Sequence, residues 1–165
     1  ILALACITVS LTACGYHLRG STGTIGTTAM TYKTLSIISD DKSALRQQLN
    51  DLMRGQVTLV TAPASAQVTA EVGAIAHSRV VSNTNSAGRA IEYRLTTTAT
   101  LQAYDAQKNI LIAPAQIAVS RTLTIGDGYD TGSDLEESRL YSEMDVELAN
   151  LMQYRLRAIK LNSAK

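Results

Sequence analysis

The sequence predicts an α+β fold: a two-layer sandwich in which two helices pack on one face of a largely antiparallel sheet of long strands. Three long runs alternate apolar and polar residues with a period of two, as half-buried strands do. Two other segments carry apolar residues at helical spacing, and the elements follow one another in the order β-α-β-β-β-β-α. Two helices can cover only one face of such a sheet, so we expect this chain to leave the other face open.

The first strand and the first helix are predicted close together. Residues 31–38 (TYKTLSII) are rich in β-branched side chains and predict a strand. Asp40 and Asp41 then offer a helix N-cap, and Gly55 offers a C-terminal stop. The apolar residues between them recur at helical spacing: Leu45, Leu49, Leu52 and Met53. A short second strand is expected over residues 57–60.

The long strands are expected at residues 67–81, 90–104 and 109–125. The loop over residues 82–88 joins the first two, and Pro114 predicts a break or bulge in the third. In the middle strand one face is mostly apolar and the other is polar. The polar face comprises Glu92, Arg94, Thr96, Thr98, Thr100 and Gln102. Such a face is either a solvated sheet surface or a polar surface inserted into another polar surface, and periodicity does not separate the two.

A long final helix is predicted after a turn-rich loop over residues 126–132 (GDGYDTG). Ser133 and Glu136 match the S-x-x-E capping box of a helix start. The helix should run for about 25 residues, longer than any other element. Its expected buried face comprises Leu140, Met144, Leu148, Leu151, Arg155 and Ile159.

The N-terminal stretch predicts export and a lipid anchor. Residues 1–13 are uncharged and mostly apolar, too short to span a bilayer but long enough for the apolar part of a signal peptide. Residues 11–14 (LTAC) resemble the bacterial lipobox, in which the cysteine is acylated and becomes the mature N-terminus. The alternative is an ordinary signal peptide with an incidental cysteine. Since the sequence begins at Ile1 without a basic region, we expect that the N-terminus is clipped.

Three segments follow from this interpretation. Residues 1–13 are the signal peptide, residues 14–29 are the lipidated Cys14 with a Gly- and Thr-rich tether, and residues 30–162 form a single α+β domain. The residue after the cysteine is Gly15 and not the aspartate of an inner-membrane retention signal, which favours the outer membrane. The diacylglyceryl and acyl lipid on Cys14 is the only attached group expected, with no other cofactor.

Composition excludes several classes of function. The net charge is +1, from 15 basic and 14 acidic residues, without the basic excess of nucleic-acid-binding domains. There are two cysteines; one would leave with the signal and Cys14 would carry lipid, so neither a disulfide nor a cysteine metal site is expected. His17 and His77 lack any neighbouring nucleophile motif, so no catalytic residue is predicted, and an envelope enzyme remains only a third hypothesis. His77 is expected on a polar strand face with Glu71 and Arg79.

An acidic loop near the final helix and a set of arginines were the remaining candidate sites. Asp127, Asp130 and Asp134 suggest a calcium loop, but the twelfth position of the pattern is Ser138 and not glutamate, so no metal site is predicted. Arg121 interrupts an apolar face and either lies at its edge, is turned outward by a bulge, or is paired internally. Hairpin pairing could gather four arginines into a phosphate or carboxylate site: Arg79, Arg89, Arg94 and Arg121.

Four features together resemble the lipopolysaccharide-assembly lipoprotein family LptE. Residues 14–20 (CGYHLRG) are similar to the mature N-terminus of that family. Residues 92–94 (EYR) open a long central strand, the pair Ser120 and Arg121 lies in the next strand, and a long C-terminal helix closes the domain. The resemblance implies a lipid-anchored plug, in 1:1 complex with the outer-membrane β-barrel LptD, that helps assemble the barrel and insert lipopolysaccharide into the outer leaflet.

The resemblance also implies roles for individual residues. Lipopolysaccharide contact is expected at Arg89 and, as a second candidate, at Arg79. Arg94, Thr96 and Thr98 are expected to face the barrel. The domain would lie on the periplasmic side and within the barrel lumen. The alternative is a periplasm-facing lipoprotein module that binds anionic lipid or polymer without a barrel.

Overall fold

The computed structural model describes residues 30–39, 44–125 and 133–161. It contains six strands and two helices in these ranges. They are β1 (Thr34–Ser39), α1 (Ala44–Met53), β2 (Thr58–Leu59), β3 (Val68–Val72), β4 (Ala76–Thr84), β5 (Ala90–Asp105), β6 (Ile110–Thr124) and α2 (Ser133–Arg157), with a short 3₁₀ turn at Pro63–Ser65. The predicted α+β class and both helices are confirmed.

All six strands form one sheet around β5. On one side β5 pairs with β3 near its C-terminal end and with β4 along its N-terminal half, and on the other side it pairs with β6 along most of its length. These pairings are antiparallel, whereas β1 pairs in parallel with both β2 and β3. The sheet is therefore mixed, and antiparallel where its strands are longest.

The predicted strand over residues 67–81 was wrong as a single element, because a bulge divides it into β3 and β4. Val72 pairs with Leu101 and Ala76 pairs with Thr98. Between these two pairs the chain advances four residues from β3 to β4, while β5 advances three, so one residue is extra. The Gly73 amide donates to the Thr100 carbonyl at 2.8 Å and keeps the ladder closed through the bulge. The extra residue reverses which side chains face the helices.

One consequence of the bulge concerns His77. Glu71 lies opposite Gln102 on the open face, whereas His77 lies opposite Thr97 on the face that the helices cover. Arg79 lies two residues further along and shares the face of His77. The prediction that both side chains share a face with Glu71 was therefore wrong.

The core lies between the sheet and the two helices. The alternation predicted for the middle strand is confirmed, since Leu95, Ala99 and Leu101 are buried while Arg94 and Thr100 are exposed. The other fully buried large side chains come from β1, the segment just before it, β3 and both helices: Tyr32, Leu35, Leu45, Leu49, Met53, Val68, Met144, Leu148, Met152 and Leu156. The two helices also contact each other directly, where Gln153 Nε2 donates to the Leu52 carbonyl at 2.9 Å.

The buried stripe of α2 differs from the prediction in its second half. Met144 and Leu148 are buried as expected, but Leu151 and Arg155 are exposed. The stripe continues instead through positions four residues apart, with Met152 and Leu156 buried. Ala149 and Gln153 are buried as well, so the stripe combines spacings of three and four, which average to the 3.6-residue period and keep it on the sheet.

Local turns and bulges follow the predicted chemistry. Gly55 has φ +83°, the left-handed conformation that ends α1. In β6 the register shifts between the partners of Leu101 and Ala103, which places a bulge around Pro114, as predicted. No helix in the described ranges combines the length and the apolar character needed to cross a bilayer.

Candidate partner-binding surfaces

The open face of the sheet carries the residues predicted to face a partner. Arg94, Thr96 and Thr98 share one face of β5, and the Thr96 hydroxyl lies 3.1 Å from the Ser120 hydroxyl of β6. No described helix covers this face, and most of the side chains around it on β4 and β6 are small. They are Ala76, Ser78, Ala118, Ser120 and Thr122, together with the larger Val80 and Gln116. The result is a flat surface of hydroxyl and methyl groups with few charges.

Arg94 is the exposed cation on this surface. It lies opposite Val80 of β4 and Thr122 of β6. Among the described residues, no carboxylate forms an ion pair with Arg94. Its guanidinium is therefore available to an external acceptor such as a carboxylate or a phosphate.

The opposite face of the same strands is tied to α2 by polar contacts. His77 Nε2 lies 2.8 Å from Asp145 Oδ1, and the His77 ring stacks on Tyr141 with centroids 4.4 Å apart. The Tyr141 hydroxyl donates to the Ser78 carbonyl at 3.0 Å. Partial burial raises the pKa of Tyr141. These contacts give His77 a structural role in docking the helix.

Arg79 is engaged in the same seam. Its guanidinium donates to Glu137 at 2.7 Å and lies 3.8 Å from the centroid of the Tyr93 ring. The side chain of Arg79 is 34% exposed. Because carboxylate and aromatic ring already occupy the guanidinium, a lipid phosphate at Arg79 would have to share or displace Glu137.

Arg121 is paired, the third of the alternatives that the sequence left open. It ion-pairs with Glu147 of α2 and flanks Leu95 on the face opposite Arg94. Arg79 flanks Leu95 from the other side, on β4. The four arginines therefore do not gather into one site, since two face α2, one lies on the open face and Arg89 lies in a turn.

Arg89 ends the turn between β4 and β5. The Asn85 side-chain carbonyl accepts hydrogen bonds from the amides of Ala87 and Arg89, both at 3.0 Å, and Gly88 takes φ +77°. The turn is fixed by these local bonds, while the Arg89 side chain is exposed and forms no ion pair with a described residue. An exposed cation therefore lies on a hydrogen-bonded turn at one end of the longest strands.

A polar cluster marks the opposite end of the open face. The Tyr104 hydroxyl donates to Glu71 at 2.7 Å, Gln102 donates to the same carboxylate, and Lys108 Nζ lies 4.0 Å from the Tyr104 ring centroid. These hydrogen bonds, that of Tyr104 first, lower the pKa of Glu71. The Glu71 carboxylate is therefore hydrogen-bonded from within the chain, by Tyr104 and Gln102.

The described residues bear on metal binding but not on lipidation. In residues 30–39, 44–125 and 133–161, no three His, Cys, Asp or Glu side chains are placed to hold a metal ion. Cys14, Asp127 and Asp130 lie outside the described residues, so lipidation at Cys14 stays a prediction. A surface pocket next to α2 is lined by residues that include Gln67, Asp105 and Lys160, and by none of the predicted site residues.

Sequence reasoning missed the seam between β4 and α2. The signal that could have revealed it is Gly73 inside a strand pattern, since glycine there often marks a bulge. A shift of one residue at Gly73 moves His77 and Arg79 to the helix side. On α2, Glu137 contacts Arg79 and Asp145 contacts His77. Glu137 and Asp145 are eight residues apart, a little over two helical turns, so both lie on the same side of the helix.

Comparison with known proteins gives consistent results. The sequence model of the family described as LptE, lipopolysaccharide-assembly, matches residues 32–156. Rare lipoprotein B from Shewanella oneidensis is 18% identical with a TM-score of 0.66, over 74% of this chain and 92% of that chain. An uncharacterized lipoprotein B from Nitrosomonas europaea is also 18% identical with a TM-score of 0.66, over 87% and 88%.

A minor lipoprotein from Acinetobacter baumannii is 23% identical with a TM-score of 0.63, over 78% of this chain and 93% of that chain. No curated protein matches the chain. At these identities the solved structures show a shared fold, while the family model covers most of the chain, including both strand signatures singled out above. The chain belongs to the LptE family of lipopolysaccharide-assembly proteins.

Proposed function

We propose that this protein is an outer-membrane lipoprotein that plugs and helps assemble an LptD-type β-barrel and takes part in inserting lipopolysaccharide into the outer leaflet. Its role is non-catalytic: it supplies surfaces to a barrel and to a lipid. The family membership supports lipopolysaccharide assembly, and the similarity to solved structures of lipoproteins supports a lipid anchor at Cys14.

The observation that carries the barrel part of the proposal is the open face of the sheet. The lumen of a large outer-membrane barrel is polar, so a plug must present hydroxyls and charges that such a wall can satisfy. The face around Arg94, Thr96 and Thr98 has this character, and no described element of the chain covers it.

The lipid part of the proposal is supported by Arg89. An exposed guanidinium without an internal carboxylate suits the phosphates of lipopolysaccharide. Arg79 is the weaker candidate because Glu137 and Tyr93 already occupy it. Where the family resemblance places a further basic residue before the last helix, this chain has Ser133.

Capture of the protein from outer membranes in mild detergent tests the proposal. We expect one large β-barrel protein to co-isolate near one-to-one, and depletion of the protein to impair assembly of that barrel. Recovery of the chain alone, with barrel assembly normal after its depletion, would contradict the proposal. Cys14→Ala tests the anchor: acylation and normal signal cleavage should both be lost, and an unchanged mature protein would refute the lipobox.

A second candidate function is a periplasm-facing module that binds anionic lipid without a barrel. The observation that favours it is the pair of unpaired cations, Arg89 and Arg94. It predicts that the domain lacking residues 1–14 binds lipopolysaccharide by itself and loses binding in the double variant Arg89→Ala, Arg94→Ala. Absence of binding without the barrel would leave the plug as the remaining candidate.

A further inference from the structure

Strand β4 is an edge strand: β5 is its one partner strand among the described residues, and the Tyr141 hydroxyl of α2 also donates to the Ser78 carbonyl. Among the described strands it pairs only with β5, and all nine of its residues are exposed. The register against β5 is uniform from Ala76 to Val81 and becomes irregular only beyond Val81. A regular stretch of six residues spans about 20 Å, a common length for a complete strand.

Edge strands are usually protected against pairing with other chains, and β4 carries few of the usual devices in the stretch from Ala76 to Val81. Its sequence AHSRVVSNT contains neither lysine nor proline. Its arginine, Arg79, is drawn over the helix-covered face by Glu137 and Tyr93, and His77 is drawn the same way by Asp145. The charged groups of β4 are therefore held away from the edge itself.

The other edges of the sheet differ in this respect. On the far side of β5, β6 contains Pro114 and a bulge near one end, and its regular stretch from Ala115 to Thr124 has no exposed large apolar side chain. At the end of the sheet β2 has only two residues. Of the edges in the described part of the chain, β4 is therefore the one that combines a regular ladder with exposed large apolar side chains, those of Val80 and Val81.

Two valines show which side chains such a strand would bury. Val80 is 62% exposed on the open face and Val81 is 49% exposed on the helix side. One apolar side chain therefore lies beside the β4 edge on each face of the sheet. An added strand places one of its side chains beside each of them. Apolar or β-branched residues at two consecutive positions would cover both valines.

Arg94 adds a charge requirement. Arg94 lies directly opposite Val80 on the open face. A residue of an added strand opposite Val80 would lie two strand spacings from Arg94, about 10 Å between backbones, which an arginine and a carboxylate side chain together can bridge. The partner segment is thus expected to be extended, apolar on both sides of the edge, and acidic near Val80.

We propose that the outer edge of β4, from Ala76 to Val81, accepts one extended segment of the partner barrel as an added antiparallel or parallel strand. This inference rests on the proposed function, because the barrel is the partner that supplies the segment. The mode is backbone pairing at an edge, and it is separate from contact through the open face at Thr96 and Thr98.

Amide hydrogen exchange tests the edge directly. The full chain is measured alone and in the complex captured with the barrel, in the same detergent. In the free chain, alternate amides of residues 76–81 should exchange fast because only every second one faces β5. In the complex these fast amides should slow by roughly tenfold or more, as pairing removes their access to water.

A pair of variants complements the exchange measurement. Val80→Lys places a charge on the edge and should reduce recovery of the barrel by roughly tenfold, as lysine does at protected edges. Val80→Thr keeps the β-branched shape and should recover the barrel as the natural chain does. Because Val80 is exposed, both proteins should fold, which circular dichroism of the purified chains checks.

Each other outcome overturns the inference. If the barrel co-isolates while the edge amides stay fast, the edge proposal fails and the proposed function stands. If no barrel co-isolates, both fail. If the edge amides are already slow in the dilute chain alone, the chain's own N-terminal segment occupies the edge. If they slow only as the concentration of the chain alone rises, a second copy does.

Discussion

Strands β3 and β4 are consecutive along the chain and pair with the same side of β5, yet they have opposite surroundings. Every residue of β3 except Glu71 is buried, and β3 lies between β1 and β5. Every residue of β4 is exposed, and β4 lies at the edge. A bulge of one residue separates them. Strand β3 therefore builds the core, and its continuation β4 remains accessible for contacts with helix α2 or with a partner.

The first prediction uses one substitution at matched positions. Val68→Ala in β3 removes a fully buried side chain and should lower the free energy of unfolding by about 2 kcal/mol. Val80→Ala in β4 should change it by less than about 0.5 kcal/mol, since the side chain is mostly exposed. Urea unfolding of the purified proteins measures both. Equal losses would mean that β4 is packed as tightly as β3.

The second prediction concerns the bulge that separates the strands. A Cβ on Gly73 would lie 3.3 Å from the Thr100 Cβ, so a branched side chain there requires Thr100 to shift by a few tenths of an ångström. Gly73→Val should cost roughly 1–2 kcal/mol of unfolding free energy by overpacking. Ala74→Val, at the exposed next residue, is the control and should cost little. A neutral Gly73→Val would show that the bulge tolerates a side chain.

The third prediction concerns the seam between β4 and α2. Arg79→Met removes an ion pair with Glu137 and a contact with Tyr93, and should destabilise the protein by about 1 kcal/mol, less at high salt. Arg94→Met is the matched control, because Arg94 has no described ion-pair partner. Denaturant unfolding at low and high salt compares the two. An equal loss of unfolding free energy in both variants would show that the contacts of Arg79 with Glu137 and Tyr93 do not stabilise the protein.

The smallest effect is expected in the pH dependence of stability. Hydrogen bonds from Tyr104 and Gln102 hold the pKa of Glu71 below its ordinary value of 4.5. A lowered folded-state pKa stabilises the folded protein above the ordinary value, and this contribution disappears as the pH falls through the folded-state pKa. As the pH falls below about 5, the unfolding temperature of Glu71→Gln should therefore decrease less than that of the natural protein. Parallel curves would show that Glu71 is not linked to folding.

Several features of the fold could be predicted from the sequence alone. Period-two alternation located β5 and its two faces, because nearly every second residue of that strand is buried. Other local patterns predicted both helices, the fold class and the Pro114 bulge, and alternation predicted the shared face of Arg94, Thr96 and Thr98. These features depend on local pattern, which a single sequence contains.

The features that were missed depend on long-range register. A bulge at Gly73 inverts the faces of all later residues in that strand, so an error of one residue placed His77 and Arg79 on the wrong face. The buried stripe of α2 could not be separated from its neighbours once Leu151 and Met152 were both apolar. The pairing of Arg121 with Glu147 joins residues in two different elements, which periodicity does not relate.

Photo-crosslinking in intact outer membranes, from a crosslinker placed at Thr98, tests the central claim most directly. Thr98 lies on the open face, whereas Thr69 is buried and serves as the matched control. The account predicts that Thr98 crosslinks to one large β-barrel protein, that Arg89 crosslinks to lipopolysaccharide, and that Thr69 crosslinks to neither. A Thr98 position that captures no barrel, while the protein is folded and in the outer membrane, would contradict it.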